Sequence, residues 1–583
     1  MRSVRPETIG GRPKRRASRL TWFLVALVLL SAAAVTLAVP ASARAADYPR
    51  LGLVWPYSSE SDASLARYDY VVLGGAEKAR IPRIKALHPD EILLTTDNGC
   101  EVSLGAIKGL PAGWLLTQVG SVLTAAVDAT TKTLPVSATT ASGKTLYGVG
   151  DLVVIENEVA RVEALTATSL TVQRGAYRPA TSHPAGARVA ATITYWSGTV
   201  VMDMSTYCPR VTVDTAVGPE TWAEYHGRTS AARVSDAAWD GIYIDRIDGD
   251  ESWLVTSTFT HTAGRTIDPN RSNRVVTDGY AAFDAAWNAG LRVYEQKVRS
   301  LIGPSKIILG NGAWPNYDLL NGTLFEGFPD AEGGIMAIGW RDAMFTPDVS
   351  WGVTGKGSYT QWASAALQPN LTSAVTYQAD HGGADGKTPD YRNLRFALTT
   401  ALMGDGYSVY QLHGTDRWAI NWFDEYDGGG LGTGYLGQPT GAAYPVGAAW
   451  RRDYSGGAAL VNPSSRPVTV RLGRTYRKIH GTQAPAVNDG SLVSAVTILA
   501  KDGIVLLSTS GIDASSPSMA LASPLDGSVV SGLLNIAVLA ADDVGVSKVE
   551  FRVDGTLLAT YSSAPYAAIW DASSASVGLE SQM

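Results

Sequence analysis

The sequence predicts an α/β fold built around a (β/α)8 TIM barrel, with a β insertion in the barrel and further β domains after it. Three observations indicate this. Short apolar runs rich in β-branched residues recur from Leu51 onward with helical stretches between them, which is the pattern of βα units around a parallel sheet. Eight such runs can be counted, the number that closes a barrel. The length of 583 residues leaves room for roughly two to four domains.

Each barrel strand is predicted from one short apolar run. The runs are Leu51–Trp55, Tyr70–Leu73, Glu91–Thr95, Gly241–Asp245, Lys306–Leu309, Gly322–Glu326, Ala374–Gln378 and Tyr407–Leu412. The helix after the fourth run has the clearest pattern, because its large apolar residues recur at steps of three or four and share one face. These residues are Tyr280, Phe283, Trp287, Leu291, Tyr294 and Val298. Thr277 is a candidate N-cap for this helix.

The barrel is expected to occupy residues 47–435, interrupted by the β insertion at 114–192. The stretch between the third and fourth strands is too long for a loop and contains alternating segments such as Leu152–Val162. After the glycine-rich run Gly428–Gly434, short β-like runs predict a β-sandwich at 436–510. A linker rich in Ser and Pro at 511–518 then leads to a partial β module at 519–583.

Residues 1–46 have the pattern of a secretory signal peptide. Arginines and a lysine precede an uncharged run from Leu20 to Val39, and small-x-small cleavage patterns follow. An uncleaved membrane anchor is the alternative, because the run reaches the ~18 residues that span a bilayer. We therefore expect a protein that is secreted, extracellular or associated with the cell surface, and that is free of the membrane once the signal is cleaved.

The composition excludes several partners and cofactors. A net charge of −6 and a pI near 5.7 leave no excess of cations to bind a phosphate backbone, so nucleic acid is not expected. The 16 Trp and 25 Tyr against 9 Phe favour rings with a polar group, as surfaces that stack on sugars require. No H-E-x-x-H, C-x-x-C or G-x-S-x-G motif occurs, so neither a metal or other cofactor nor a serine nucleophile is predicted. A monomer is expected.

Two of the predicted strands end in a carboxylic acid. Asp245 ends the run WDGIYID, and Glu326 ends the run TLFE. The C-terminal strand ends form the functional rim of a (β/α)8 barrel, so both acids are expected to point into one cleft. Cleavage of a glycosidic bond needs one acid to protonate the leaving oxygen and one carboxylate to attack or to activate water, so Asp245 and Glu326 are the candidate catalytic pair. The alternative is that either acid only pairs with a nearby arginine in a structural network.

Other candidate residues follow the remaining strands. The candidate substrate-binding residues are Trp55, Asp97, Asn311, Trp314, Asp380 and Trp418. The tryptophans could stack on sugar rings, and simple packing is the alternative for each of them. Asp248, Asp250 and Glu251 lack the spacing of a calcium loop and are expected to form a solvated acidic loop.

Cys100 and Cys208 are the two cysteines of the chain. Each follows a predicted strand next to the insertion, and an even number of cysteines in an exported protein fits a disulfide. We predict that they are bonded and close the chain around the insertion. Two free buried thiols are the alternative.

Four segments resemble a known family. They are Tyr68–Gly74, Ile84–Thr95 and the runs WDGIYIDRID and NGTLFEGFPD. Together they resemble a group of bacterial glycoside hydrolases with a TIM barrel and, more distantly, the endo-α-1,4-polygalactosaminidases. The resemblance implies that the strand-4 Asp and the strand-6 Glu, which are Asp245 and Glu326 here, form the catalytic pair. The runs SPLDGSVVSG, DDVGVSKVEFRVDGTLLAT and APYAAIWD resemble a bacterial immunoglobulin-like module, which is expected to be truncated.

The sequence therefore predicts a secreted glycoside hydrolase that cleaves a polysaccharide or oligosaccharide with a pair of carboxyl groups. A non-catalytic carbohydrate-binding protein at the cell surface is the alternative, and a transglycosylase would use the same two acids. Glu326 is framed by Phe325 and Phe328, and apolar surroundings raise the pKa of a carboxyl group. Glu326 is accordingly predicted as the general acid and Asp245 as nucleophile or base. The sugar, the linkage and the stereochemical outcome stay open.

Overall fold

The computed structural model describes residues 47–574 apart from 236–237, 257–264, 278, 330–337, 352–354, 379–388, 413–417, 510–517, 525–526, 542–545, 547 and 563–565. The predicted signal peptide at 1–46 lies outside the described residues, as does nearly all of the predicted linker at 511–518.

The eight apolar runs join in one parallel sheet in chain order. Its strands are Gly52–Val54 (β1), Tyr70–Val72 (β2), Ile92–Asn98 (β3), Gly241–Asp245 (β4), Ile307–Asn311 (β5), Thr323–Glu326 (β6), Ser373–Tyr377 (β7) and Tyr407–Gln411 (β8). The sheet closes on itself because Leu51, just before β1, forms a parallel bridge with Ser408 of β8. The predicted (β/α)8 barrel is confirmed.

Side chains along each strand alternate between two apolar layers, because successive residues of a strand point to opposite faces. On β4, Tyr243 belongs to the core inside the barrel, whereas Ile242 and Ile244 belong to the core under the helices. On β6, Leu324 points inward and Phe325 points outward. Asp245 and Glu326 each lie two residues beyond an inward residue, so the alternation directs both of them to the mouth of the barrel.

Helices cover the outside of the sheet. In the described part of the chain the α-helices are Asp62–Leu65 (α1), Ile81–Leu87 (α2), Trp222–Ser235 (α3), Trp253–Thr256 (α4), Ala281–Ile302 (α5), Trp340–Phe345 (α6), Tyr359–Ala365 (α7), Tyr391–Ala401 (α8) and Asp424–Asp427 (α9). The predicted apolar face of α5 is buried, from Phe283 to Val298. The predicted cap is wrong, because the residue before α5 is Tyr280 in a left-handed conformation, three residues past Thr277. Among the described residues no helix is long and apolar enough to cross a membrane.

Between β3 and β4 the chain forms a six-stranded antiparallel sheet. In spatial order its strands are Ser121–Val122, Arg188–Ala191, Leu152–Ile155, Glu158–Leu165, Ser169–Gln173 and Thr133–Pro135. This sheet has an apolar core of its own, separate from the cores of the barrel. Glu158 is buried and accepts hydrogen bonds from Arg174 (2.6 Å) and His183 (2.9 Å). The bounds 114–192 for the insertion stay a prediction.

After the barrel, a second six-stranded sheet forms where a β-sandwich is predicted. Its antiparallel strands, in spatial order, are Tyr444–Val446, Ala449–Tyr454, Gly457–Asn462, Asp502–Ser508, Val468–Lys478 and Leu492–Ile498. The two central strands, Gly457–Asn462 and Asp502–Ser508, pack on α8, where Arg395 and Asp502 form a buried ion pair of 3.0 Å. The C-terminal module contributes the strands Ser518–Ser523, Leu533–Ala541, Val549–Val553, Thr556–Tyr561 and Tyr566–Asp571.

The predicted disulfide is wrong, because Cys100 and Cys208 are free and buried in the structure. The sulfur of Cys208 accepts a hydrogen bond from the backbone N–H of Trp222, at the start of α3. The sulfur of Cys100 instead lies 3.9 Å from a carboxylate oxygen of Glu251, in the loop after β4. The two thiols are therefore held by different elements, although both follow segments that flank the insertion.

Candidate active site

Asp245 and Glu326 meet at the mouth of the barrel through a shared partner, Asn311. Each of the three residues is the last residue of its strand, β4, β6 and β5 respectively, and β5 lies between the other two in the sheet. The side-chain nitrogen of Asn311 donates to Asp245 Oδ1 at 3.1 Å and to Glu326 Oε2 at 2.8 Å. The structure therefore brings the two acids together at one rim of the barrel, and their catalytic roles stay a prediction.

The shared nitrogen also limits the distance between the two carboxylates. Because both oxygens lie within hydrogen-bonding distance of one atom, they are at most about 6 Å apart. An amide nitrogen presents its two hydrogens at about 120°, and this angle corresponds to an oxygen–oxygen distance of about 5 Å. The two acids are thus close enough to act on opposite sides of one bond of a bound substrate.

Asp245 lies in a largely desolvated position. Burial is the main cause that raises the pKa of this carboxyl group, and the negative charge of Glu326 adds to it. Hydrogen bonds from Asn311 and from the Tyr243 hydroxyl (3.2 Å), together with the charge of Arg246, act in the opposite direction. The net effect favours the protonated form of Asp245 relative to an aspartate in water.

Glu326 lies in an exposed position, which differs from the sequence-based expectation. Phe325 and Phe328 are buried and pack with Tyr359 under the helices, so they do not surround the carboxylate. Glu326 Oε1 accepts a hydrogen bond of 2.8 Å from the hydroxyl of Tyr377, at the end of β7. The apolar environment that led us to predict Glu326 as the general acid is absent. Side-chain alternation directs Phe325 away from the mouth of the barrel, and Phe328 packs against Phe325.

The three central strands end in the same way. The residue that follows each functional side chain has a left-handed backbone: Arg246 (φ 55°), Gly312 (φ 73°) and Gly327 (φ 74°). This conformation ends the strand ladder at once and leaves the preceding side chain at the rim. Glycine adopts it without strain, whereas a residue with a Cβ does so at a cost of about 1–2 kcal/mol, so Arg246 needs support from elsewhere.

That support is a buried ion cluster. The Arg246 guanidinium contacts Asp248 (2.6 Å), Glu251 (2.7 Å) and Glu101 (3.5 Å). Burial raises the pKa of Asp248 to about 6 and that of Glu251 well above its usual range, with repulsion between the carboxyl groups adding to the effect. The expectation of a solvated acidic loop is wrong for Asp248 and Glu251, because both are less than a tenth exposed.

Aromatic rings line the mouth beside β1 and β8. Trp55 has a left-handed backbone (φ 52°) and packs edge-on against Tyr243 and Trp418, with ring centroids 5.4 and 5.9 Å away. Both tryptophans are half-buried and so leave part of each ring accessible. Trp314 covers the backbone of Gly249, where a Cβ would lie 1.9 Å from the indole ring. The binding roles predicted for Trp55, Trp314, Trp418 and Asn311 stay predictions.

Asp97 does not face the cleft, so its predicted role in substrate binding is wrong. It is paired in the sheet with Ile244, which points outward. Its carboxylate accepts a hydrogen bond from Ser230 (2.8 Å) and forms an ion pair with Arg233 (3.0 Å), both on α3. Asp380 lies outside the described residues.

Two tyrosines at the site were not predicted from the sequence. Tyr243 and Tyr377 each donate a hydrogen bond to one of the two acids. Tyr243 lies two residues before Asp245 on the same strand, so alternation could have placed it on the same face. Tyr377 ends β7, the strand next to that of Glu326, so it could have been predicted only once the strand order was known. Within the described residues no group of three or more His, Cys, Asp and Glu side chains could hold a metal ion.

A (β/α)8 barrel with two acids at its C-terminal rim defines the class of site, and the sequence comparisons agree with it. Residues 182–458 match the model of hypothetical glycosyl hydrolase family 15, and residues 517–581 match a bacterial Ig domain. The matched stretch contains β4 to β8 of the barrel. The two matches support a glycosidase with a C-terminal Ig domain. A comparison with curated proteins found no match.

Several solved structures are similar to the chain. The glycoside hydrolase domain of PelA from Pseudomonas aeruginosa is 12% identical, over 62% of this chain and 94% of that one, with a TM-score of 0.27. An α-amylase from Geobacillus thermoleovorans, complexed with acarbose, is 8% identical, over 76% and 88% of the two chains, with a TM-score of 0.33. Pyruvate kinase from Pyrobaculum aerophilum is 8% identical, over 63% and 69%, with a TM-score of 0.24.

Proposed function

We propose that the protein is a secreted glycoside hydrolase that cleaves a polysaccharide with Asp245 and Glu326 as its catalytic pair. The observation that carries the proposal is the single amide of Asn311 that bridges the two carboxylates at the rim. The export pattern of residues 1–46 and the bacterial Ig domain support a location outside the cell or at its surface.

The spacing of the acids favours a retaining mechanism. Retaining glycosidases hold the two carboxyl groups roughly 5–5.5 Å apart, and inverting ones roughly 6.5–9.5 Å. The upper limit of about 6 Å between Asp245 Oδ1 and Glu326 Oε2 leaves no room for a water between those two oxygens and the sugar. One carboxylate then attacks the anomeric carbon directly.

The environments of the acids assign their roles. Asp245 has a raised pKa and serves as the general acid, which protonates the leaving oxygen as the glycosidic bond breaks. Glu326 is exposed to the substrate, and donors from Asn311 and Tyr377 stabilise its negative charge, so it attacks the anomeric carbon. In the second step Asp245 takes a proton from water, the hydroxyl attacks the same carbon, and the ester bond to Glu326 breaks. These roles reverse the sequence-based assignment.

The activity is tested by measuring the release of reducing ends from a panel of soluble polysaccharides, including galactosaminogalactan and bacterial cell-wall glycans. We expect the wild-type protein to release reducing ends from at least one of them. Glu326→Gln should lower the rate at least about 10³-fold, and Glu163→Gln, an exposed glutamate of the insertion sheet, should not change it. Binding to a polysaccharide without any release of reducing ends would instead favour a carbohydrate-binding protein.

The roles are tested with an aryl glycoside of the sugar found in that screen, carrying a dinitrophenolate leaving group. Asp245→Ala should retain turnover of this substrate, because its leaving group needs no proton, and added azide should accelerate the reaction. Glu326→Ala should lose turnover, because no ester can form. The opposite pattern would return the roles to those predicted from the sequence, and a product of inverted configuration from the wild-type protein would exclude the retaining mechanism.

A further inference from the structure

Tyr195 and Trp196 form an aromatic pair where the chain returns from the insertion sheet to the barrel. Their ring centroids lie 4.8 Å apart. Tyr195 is half-buried, whereas Trp196 is 59% exposed. A single exposed apolar side chain is common at protein surfaces, so exposure by itself indicates nothing. The informative features are the hydrogen bonds that hold the backbone of Trp196 and the position of the aromatic pair next to Arg246.

The backbone of Trp196 is held by a tight turn. Its N–H donates to Glu101 Oε1 at 3.4 Å, and its carbonyl accepts the N–H of Thr199 at 3.2 Å. The turn joins directly to the antiparallel pair Glu101–Ser103 and Thr199–Val201. The exposed indole therefore projects from a fixed backbone and loses little conformational freedom when a ligand covers it.

The ring of Tyr195 connects this pair to the catalytic rim. The guanidinium of Arg246, the residue after Asp245, lies 4.5 Å from the centre of the Tyr195 ring, and Trp253 packs edge-on at 5.1 Å. Burial raises the pKa of the Tyr195 phenol, and the carboxylates of Asp248 and Glu326 contribute to the rise. The phenol thus lies within electrostatic range of one of the two proposed catalytic acids.

The mouth of the barrel consequently has aromatic rings on two sides of the acids. Trp55 and Trp418 lie beside β1 and β8. Tyr195 and Trp196 lie beside the ends of β3 and β4, on the other side of Asp245 in the strand order. Pyranose rings present apolar C–H faces that pack on indole and phenol rings, which combine a large apolar surface with little rotamer entropy.

We propose that Tyr195 and Trp196 form a sugar-stacking subsite remote from the cleaved bond. A polysaccharide chain would cross the mouth from the Trp55 and Trp418 side, pass over Asp245 and Glu326, and rest on Trp196. The inference rests on the proposed function. It adds that the enzyme binds an extended sugar chain, with sugars held on both sides of the cleaved bond. The insertion would then determine specificity, because its exit segment carries the platform.

The subsite is tested by affinity electrophoresis in gels cast with each polysaccharide of the same panel. All variants are made in the Glu326→Gln protein, so that the probe is not degraded. We expect Trp196→Ala to weaken retardation by the best-retained polysaccharide about tenfold, equivalent to about 1.4 kcal/mol. Tyr444→Ala removes an exposed aromatic residue from the second six-stranded sheet and serves as the matched control. Its retardation should equal that of the parent. Trp196→Phe should recover most of the retardation if stacking is the cause.

Equal retardation of Trp196→Ala and its parent would overturn the subsite, as would a parent that none of the polysaccharides retards. A second measurement separates this failure from failure of the proposed function. In the protein with Glu326 intact, Trp196→Ala should raise KM more for long oligosaccharides than for short ones and change kcat little. Retardation that depends on Trp196 without any release of reducing ends would support the subsite and overturn the proposed hydrolase. Hydrolysis with a KM that does not change in Trp196→Ala would support the hydrolase and overturn the subsite.

Discussion

The ends of β4 and β6 are built to the same plan but held by different interactions. Each strand ends in an acid and then turns through one left-handed residue, Arg246 in the first case and Gly327 in the second. The guanidinium of Arg246 is buried among three carboxyl groups, whereas Gly327 has no side chain to anchor. The loop after β4 is consequently packed around a charged side chain, whereas Glu326 is exposed and is followed by the buried residues Gly327, Phe328 and Pro329.

The environments of the two acids differ as well. Burial raises the pKa of Asp245 although the charge of Arg246 acts against the rise, whereas Glu326 stays exposed and is held by two hydrogen-bond donors. Two carboxyl groups only a few ångströms apart can thus take opposite roles, because their environments rather than their chemical types differ. Arg246 anchors the loop after Asp245 through Asp248 and Glu251, although we assign it no contact with substrate.

The largest effect should come from Arg246→Met, which leaves three carboxyl groups around an apolar side chain. We expect a loss of about 3–5 kcal/mol in the free energy of unfolding, measured by urea denaturation, because a buried ion pair loses one partner. Arg83→Met is the matched control, since Arg83 is mostly exposed in its ion pair with Asp62, and it should cost under about 1 kcal/mol. Arg246→Gly removes the same charge but relieves the left-handed strain. A glycine variant as stable as wild type would show that the ion cluster contributes no more than the about 1–2 kcal/mol of strain that glycine relieves.

Asn311→Ala should remove the amide that donates to both acids. We expect kcat to fall about 10²-fold with little change in stability, because a donor to both carboxylates is lost at the reacting centre. The measurement is the rate of reducing-end release at saturating polysaccharide. Asn270→Ala, at an exposed position, is the control and should retain the wild-type rate. A rate for Asn311→Ala within twofold of wild type would contradict the bridging role.

Gly327→Ala tests the turn after Glu326. Alanine in the left-handed conformation (φ 74°) should cost about 1–2 kcal/mol, seen as a lower midpoint in thermal unfolding. Gly143→Ala, at φ 75° in a turn of the insertion with open space around it, measures the same strain far from the site. We expect Gly327→Ala to lose at least as much stability as Gly143→Ala, because Gly327 is buried, and we expect a loss of activity for Gly327→Ala only. Unchanged activity would mean that this turn does not position Glu326.

The smallest effect concerns the pH dependence of the reaction. Tyr243→Phe removes a donor that stabilises ionised Asp245, so the pKa of Asp245 should rise further. A general acid must be protonated, and a higher pKa keeps it protonated to higher pH. The alkaline limb of the pH profile of kcat/KM should therefore move upward by up to about one pH unit. Tyr377→Phe removes a donor to the other acid, Glu326, and should leave this limb in place. A downward shift for Tyr243→Phe would contradict the assignment.

The local features of the barrel could be predicted from the sequence because strand patterning is a short-range property. β4 was predicted to the residue, and the buried face of α5 follows from the spacing of its apolar residues. The outward direction of Phe325 also follows from alternation, although we predicted an apolar environment for Glu326 from its neighbours in the chain. The errors at Asp97 and at the cysteines have another origin, because each depends on which distant element lies opposite.

The sequence by itself determined the order of the strands, the two acids at strand ends and the glycosidase class, since these depend on periodicity and on motifs within single segments. Only the tertiary structure decided which of the acids is desolvated, which arginine supports it, and that Asn311 joins the pair. It also decided that Cys100 and Cys208 stay apart and that the insertion returns to the rim with Tyr195 and Trp196. The physical reason is that burial, ion pairing and hydrogen bonding at a barrel mouth combine residues from strands and loops far apart in the chain, and their distances are set by closure of the barrel.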